Sequence, residues 1–277
     1  YRGIAERLVE GHGYSSPGSQ HPTAFRPPLY PIVLAGIMAL GGGPTAVGIV
    51  QVLLGAATVW LTFLLGRRIG LSLTASYLAA GLVALDPLLI LYTTFAMTET
   101  LFAFLVTLLM LLLSGSGASP DAVDPANTTE SQPRRNPAQQ ALAGIVFGLC
   151  ALCRPTIWAF GVILAVGWLA NEVVLKGNAR RLPRRIPWLA LLAVAVVVAP
   201  WAIRNQVALG RPIVTTTHGG YTLLLGNNPV FYREVVEQPR GTVWQGPSLA
   251  AWQESLETAM AKEDPPVTGE LARDRWM

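Results

Sequence analysis

The sequence predicts an all-α polytopic membrane protein with a small mixed segment at its C-terminal end, and three observations carry that prediction. Of 277 residues, 52% are hydrophobic and 13% charged, with a mean hydropathy of +0.44, against about 25% charged in an ordinary soluble domain. Six apolar runs approach the roughly 20 residues that a helix needs to cross a hydrocarbon core of about 30 Å. The basic clusters all fall between pairs of those runs on one side: Arg67 and Arg68, Arg134 and Arg135, and the acid-free Lys176, Arg180, Arg181, Arg184 and Arg185. The positive-inside tendency assigns that side to the cytoplasm and leaves the other loops outside. The net charge of +4 therefore reads as topology rather than as a nucleic-acid surface.

Residues 1–43 are expected to form an outer-face loop. Within it, Leu29 to Leu40 is apolar but short, and it is bracketed by Pro27, Pro28, Pro31 and the turn Gly41-Gly42-Gly43-Pro44. That length suits a re-entrant or interfacial helix better than a span. The chain opens on Tyr1 rather than methionine and closes on a polar stretch at Met277, so it is expected to be part of a longer protein.

Residues 44–203 carry the six expected spans. They are Pro44 to Leu65, Leu71 to about Leu91, about Phe95 to Leu113, Ala138 to Leu152, Thr156 to Leu175, and Ile186 to Ala202. Asp86-Pro87 interrupts the second, because an Asp cap followed by proline starts a new helix. Between the third and fourth lies residues 114–137, rich in Ser, Gly, Pro, Asp and Asn, which reads as a flexible cytoplasmic loop. Its sequon at Asn127 carries little weight on that side of the membrane. Cys150 and Cys153 form a lone C-x-x-C with no second pair, and they read as small helix-packing residues rather than zinc ligands.

After Arg204 the apolar periodicity stops, and residues 204–277 read as a water-facing segment on the outer side. Tyr221 to Leu225 suggests a short strand, Gly226-Asn227-Asn228-Pro229 a turn, and Leu249 to Lys262 an amphipathic helix containing Trp252.

The outer residues offer two readings each. Arg26, stiffened by Pro27 and Pro28, suits either a lipid headgroup or the phosphate of a dedicated lipid substrate. Glu99, after Thr98, suits a helix first turn or a functional carboxylate at the membrane entrance. Asp86 would be delivered to the same surface. Arg154 before Pro155, and Arg204 after Pro200-Trp201, are ordinary interface anchors taken singly. Three outer arginines on the face that should be poor in them point instead to an anionic ligand. His218, Tyr221, Asn227 and Asn228 sit in glycine-rich turns that could approach a sugar or phosphate, or simply be turns.

Taken in order, Arg26-Pro27-Pro28-Leu29-Tyr30-Pro31, Leu65-Gly66-Arg67-Arg68, Thr98-Glu99-Thr100-Leu101, Arg154-Pro155, Pro200-Trp201 with Arg204-Asn205, and Gly219-Gly220-Tyr221 with Gly226-Asn227-Asn228-Pro229 resemble glycosyltransferase family 39. This family includes the protein O-mannosyltransferases and relatives of the lipid A aminoarabinose transferases, within the C-type glycosyltransferase superfamily. The resemblance implies an inner-membrane, multi-pass hexosyl or pentosyl transferase with its active site on the periplasmic face. It would move a sugar, with inversion, from a polyprenyl-phosphate carrier to the hydroxyl of a lipid, glycan or protein. Glu99 matches an acidic residue of the second outer loop that assists the reaction. Arg26, with Tyr30 in the same motif, matches the donor-phosphate region, and Arg154 or Arg204 could share that role. The family's general-base aspartate would precede Tyr1. The related aminoarabinose enzymes carry an acidic residue where Phe25 stands here, so no metal ligands are assigned, no cofactor is certain, and a divalent metal stays open. The rival reading is a polyprenyl-lipid transporter or flippase without glycosyl transfer; a structural subunit would leave the outer motifs unexplained.

Overall fold

The computed structural model describes residues 1–18, 21–114, 136–175 and 187–277. The predicted loop at 114–137, with Arg134, Arg135 and the Asn127 sequon, lies almost wholly outside those residues, as does the basic cluster from Lys176 to Arg185. Among the described residues the fold is helical throughout, with no strand and a single isolated bridge between Ser15 and Pro22.

Helix α1 (Arg2–Val9) packs on α2 (Leu29–Ala39), whose 11 residues rise only about 16 Å. Helix α3 (Pro44–Arg68) is the longest, started by Gly43 and Pro44 and finished by Arg67 and Arg68, cations that complement the negative helix C-terminus. The second apolar run breaks where Asp86-Pro87 predicts. Helix α4 (Leu73–Ala84), capped by Ser72, gives way to α5 (Pro87–Thr94) through a bend of 47°. Asp86 Oδ1 accepts the amides of Leu88 and Leu89 at 2.8 and 3.0 Å, which starts the new helix. Helix α6 (Glu99–Leu113) opens later than the expected Phe95. It is followed by α7 (Pro137–Cys153), α8 (Ile157–Leu175) and α9 (Trp188–Leu209).

Each apolar run thus forms helix. By length and composition α3 and α9 can cross a membrane, and the bent α4–α5 pair is either a third, broken span or a re-entrant loop; α2, α6, α7 and the described part of α8 are shorter apolar helices. Large apolar side chains face outward on these elements, among them Leu53 and Trp60 of α3, Leu82 of α4 and Val207 of α9. Water would not tolerate so continuous an apolar exterior, whereas lipid tails do.

The helices are ordered by contact as α4, α3, α6, α7, α9. Leu101, Leu105 and Leu109 form one stripe of α6 and pack with Val146, Cys150 and Cys153 of α7 and Leu34 of α2. Both cysteines are buried free thiols at that seam. Helix α7 meets α9 most intimately because Gly144 and Gly148 face it. A Cβ on Gly148 would sit 2.8 Å from Val197, and one on Gly144 would overlap the Ala190 carbonyl.

Two expectations for the C-terminal region are corrected. Helix α9 does not end at Ala202; it absorbs Pro200 and runs to Leu209, stopping at Gly210, whose φ of 73° is left-handed. The segment expected to be mixed contains no strand among its residues. Tyr221 to Leu225 lies in α10 (Gly219–Gly226), followed by α11 (Pro229–Phe231), a π-helical turn at Tyr232–Val236, α12 (Pro247–Lys262) and α13 (Glu270–Trp276). Gly220 explains the helix: its backbone abuts α13 so closely that a Cβ would overlap the Asp274 carbonyl. Tertiary packing therefore decides a short apolar run that periodicity leaves ambiguous.

Candidate active site

The segment from Tyr14 to Pro28 carries Arg26, and its backbone is held from several sides. Arg204, on the last turns of α9, donates to the carbonyls of Thr23 at 2.7 Å and Tyr14 at 2.5 Å, and to Asn205 Oδ1 at 2.9 Å. Its guanidinium also lies over the rings of Tyr14 and Trp201. The Thr217 amide donates to the Ala24 carbonyl at 3.2 Å. Glu270 of α13 accepts from the Ala24 amide at 2.7 Å and from the Thr217 hydroxyl. Tyr14 is buried, and its hydroxyl stands 2.9 Å from the Arg26 carbonyl and 3.1 Å from that of Pro27. Burial, first of all, pushes that phenol above its ordinary pKa, so it remains a donor.

Arg26 itself is held differently. Its guanidinium lies 5.2 Å from the ring centres of both Tyr1 and Phe25, and among the described residues no carboxylate pairs with it. A planar cation stacked on rings but lacking a counter-charge keeps its N–H fork available for an oxyanion.

Glu99 lies in the first turn of α6, and Arg154 at the C-cap of α7 reaches across to it. Arg154 Nη1 donates to Glu99 Oε1 at 3.0 Å, and its guanidinium is 5.8 Å from the Phe102 ring. The Glu99 side chain is only 17% exposed. Its Oε2 is buried with no hydrogen-bond partner among the described residues, as are the hydroxyls of Tyr30 and Thr100. Buried polar atoms are nearly always satisfied, so such a group is unusual outside a working site. Tyr30 ties this pair to Arg26. Its ring meets Tyr1 edge-on at 5.5 Å. Its phenol is pushed above the ordinary range by burial and then by the charge of Glu99.

His218 precedes α10 and stacks on Phe25 at 4.1 Å between ring centres, with Tyr221 at 5.3 Å. Its pKa is lowered, chiefly by burial and then by the Arg26 charge. These rings form one wall of a cavity of about 980 Å³, closed on the other side by α12 and α13 and bordered by Arg26, Gln253, Glu270 and Asp274. A second, apolar groove of about 440 Å³ runs between α3, α4, α5 and α6, lined by Val59, Val83, Leu89 and Thr100, the residue that follows Glu99 in sequence.

The structure thus brings Arg26, Tyr30, Glu99, Arg154, His218 and Tyr221 into one connected region. Arg204 belongs to its scaffold. Asn227 and Asn228 are engaged in local structure: the exposed Asn227 donates to the Leu223 carbonyl at 2.8 Å, and the buried Asn228 accepts the Phe231 amide at 2.9 Å to start α11. Asp86 serves as the cap of α5. Among the described residues no three His, Cys, Asp or Glu side chains gather as a metal site. Sequence reasoning missed Glu270 and Asp274, whose i, i+4 spacing on α13 is an ordinary pattern until their partners are known.

The family model for dolichyl-phosphate-mannose-protein mannosyltransferases matches residues 45–209, the first turn of α3 to the last residue of α9. The chain belongs to this family. Membership makes it a membrane glycosyltransferase of mannosyltransferase type, using sugar donors linked to a lipid phosphate. The mannosyltransferase match contains Glu99, Arg154 and Arg204, whereas Arg26, Tyr30 and the His218–Tyr221 turn lie outside it. No curated protein and no solved structure matches the chain.

Proposed function

We propose that the protein transfers a sugar from a polyprenyl-phosphate donor to an acceptor hydroxyl at the outer face of the inner membrane, with inversion. The observation that carries this reading is the pairing of an uncompensated Arg26 with the half-committed Glu99 across Tyr1 and Tyr30. The donor's phosphate takes the Arg26 fork, and the polyprenyl chain follows the apolar groove beside Thr100. The acceptor oxygen attacks the anomeric carbon while the bond to the phosphate oxygen breaks. The polyprenyl phosphate leaves with that electron pair, and negative charge grows where the guanidinium stands. The acceptor's proton passes to a carboxylate. Glu99 is the candidate in this chain, because Arg154 fixes Oε1 while Oε2 is left without a hydrogen-bond partner among the described residues. Arg204 holds the loop that presents Arg26, and the residues flanking His218 and Tyr221 face the acceptor.

Turnover of a radiolabelled polyprenyl-phosphate sugar by the purified protein in lipid nanodiscs tests this. Glu99→Gln and Arg26→Ala should each lower kcat/KM by about 10²–10³-fold, the usual loss for one charge-stabilising group. Wild-type turnover by both variants would remove the proposed site.

A further inference from the structure

We propose that the cavity between the Phe25–Arg26 segment and helices α10, α12 and α13 is an acceptor subsite, and that its ligand is the hydroxyl-rich end of a glycan. This rests on the transfer reaction above for its meaning, but the binding it predicts can be measured without that reaction.

Size comes first. At about 980 Å³ the space stands at the top of the range for small-molecule pockets, roughly 300–1,000 Å³. That is far more than the side chain of a serine or threonine needs. Its two walls differ in chemistry. One is made of flat rings, with Phe25 and His218 stacked and Tyr221 beside them. Such rings offer the apolar faces against which the C–H side of a sugar packs while their polar edges stay wet.

The other wall carries acceptors for hydroxyl protons. Glu270 and Asp274 both border the cavity, and each is anchored through one oxygen, Glu270 by the Ala24 amide and Asp274 by the Gly220 amide at 2.8 Å. Neither second oxygen has a hydrogen-bond partner among the described residues. Gln253 is exposed at the rim and donates to the Tyr221 hydroxyl at 2.8 Å, which fixes one ring edge. Ionised carboxylates accept without donating, and a polyol presents many donors.

The charge balance favours a neutral ligand. Arg273 is already paired with Glu257 on the same rim, which leaves Arg26 opposite Glu270 and Asp274. A polyanion would meet the carboxylates, and a polycation would meet Arg26. An extended peptide would look for a strand edge to pair with, and no strand borders the cavity among the described residues. Arg26 lines the same cavity, so a sugar hydroxyl seated there lies beside the group that receives the donor phosphate.

Binding of manno-, gluco- and galacto-oligosaccharides, free or carried on a short polyprenyl chain, is measured by intrinsic tryptophan fluorescence of the nanodisc-embedded protein, with a serine/threonine-rich peptide in parallel. The expected result is saturable binding of at least one oligosaccharide and none of the peptide. Asp274→Asn and Tyr221→Ala should raise its Kd by tenfold or more, and Gln253→Ala, at an exposed position, by a smaller factor with the fold intact. Saturation by free sugar identifies a soluble glycan, and saturation only by the lipid-carried form identifies a glycolipid headgroup; both support the subsite. Peptide binding in place of sugar, sugar binding indifferent to all three substitutions, or no sugar binding overturns it. Sugar binding without donor turnover would leave the subsite standing and sink the transfer reaction instead.

Discussion

The ring of His218 lies flat on Phe25 within the field of Arg26, so a proton there is disfavoured in the folded protein. Its pKa falls below the ordinary 6.5 mainly through burial. In the window below that value the unfolded chain therefore binds more protons than the folded one, and stability declines as the pH drops. Above it the contribution is complete. Between pH 7 and pH 5 the thermal midpoint of the wild type in detergent should fall more than that of His218→Phe, which keeps the stack without the titration. Parallel curves would show that His218 is not the source. At this scale the sequence was informative about which charged residues fall at apolar boundaries and less so about what they touch. Arg26, Glu99 and Arg154 could be singled out from their positions at apolar boundaries. That Arg154 belongs to Glu99, while Arg204 grips the Thr23 and Tyr14 carbonyls, depends on which helix ends converge.

Helices α7 and α9 meet without side chains between them at Gly144 and Gly148, and in a lipid environment such close approach is a main source of association. Replacing Gly144 by leucine should force the pair apart and cost about 1–3 kcal/mol or more, the usual range for overpacking. A lowered midpoint for detergent-induced unfolding measures it, and an unchanged midpoint would mean the seam is slack. The boundary at Asp86-Pro87, written in local chemistry, was legible: Asp86 caps the helix that follows, and Pro87 sits where a first turn tolerates it. Boundaries set by neighbours were not. The sixth run was expected to end at Ala202, but α9 carries Pro200 inside it and ends at Gly210, and α10 begins where Gly220 lies so close to α13 that nothing larger fits.

Across the whole molecule, the basic turn after α3 and the loop bearing Arg26 are proposed to lie on opposite faces of the membrane. Single cysteines at Gly70 and His21, in the background of the buried Cys150 and Cys153, can be probed with a membrane-impermeant maleimide on intact cells. The His21 position should label and the Gly70 position should label only after permeabilisation; the reverse pattern would invert the topology. Helical class was readable because it is an average over many residues. The C-terminal cluster around the cavity was not, since its recognition depends on pairs that no local pattern announces.

Glu270 accepts the Ala24 amide across 246 positions of sequence. A ribosome delivering this chain releases helices α2 to α9 before it produces that glutamate. The peptide that presents Arg26 therefore lacks this anchor until α13 emerges, and a chain stalled before that point should hold the Arg26 segment less firmly.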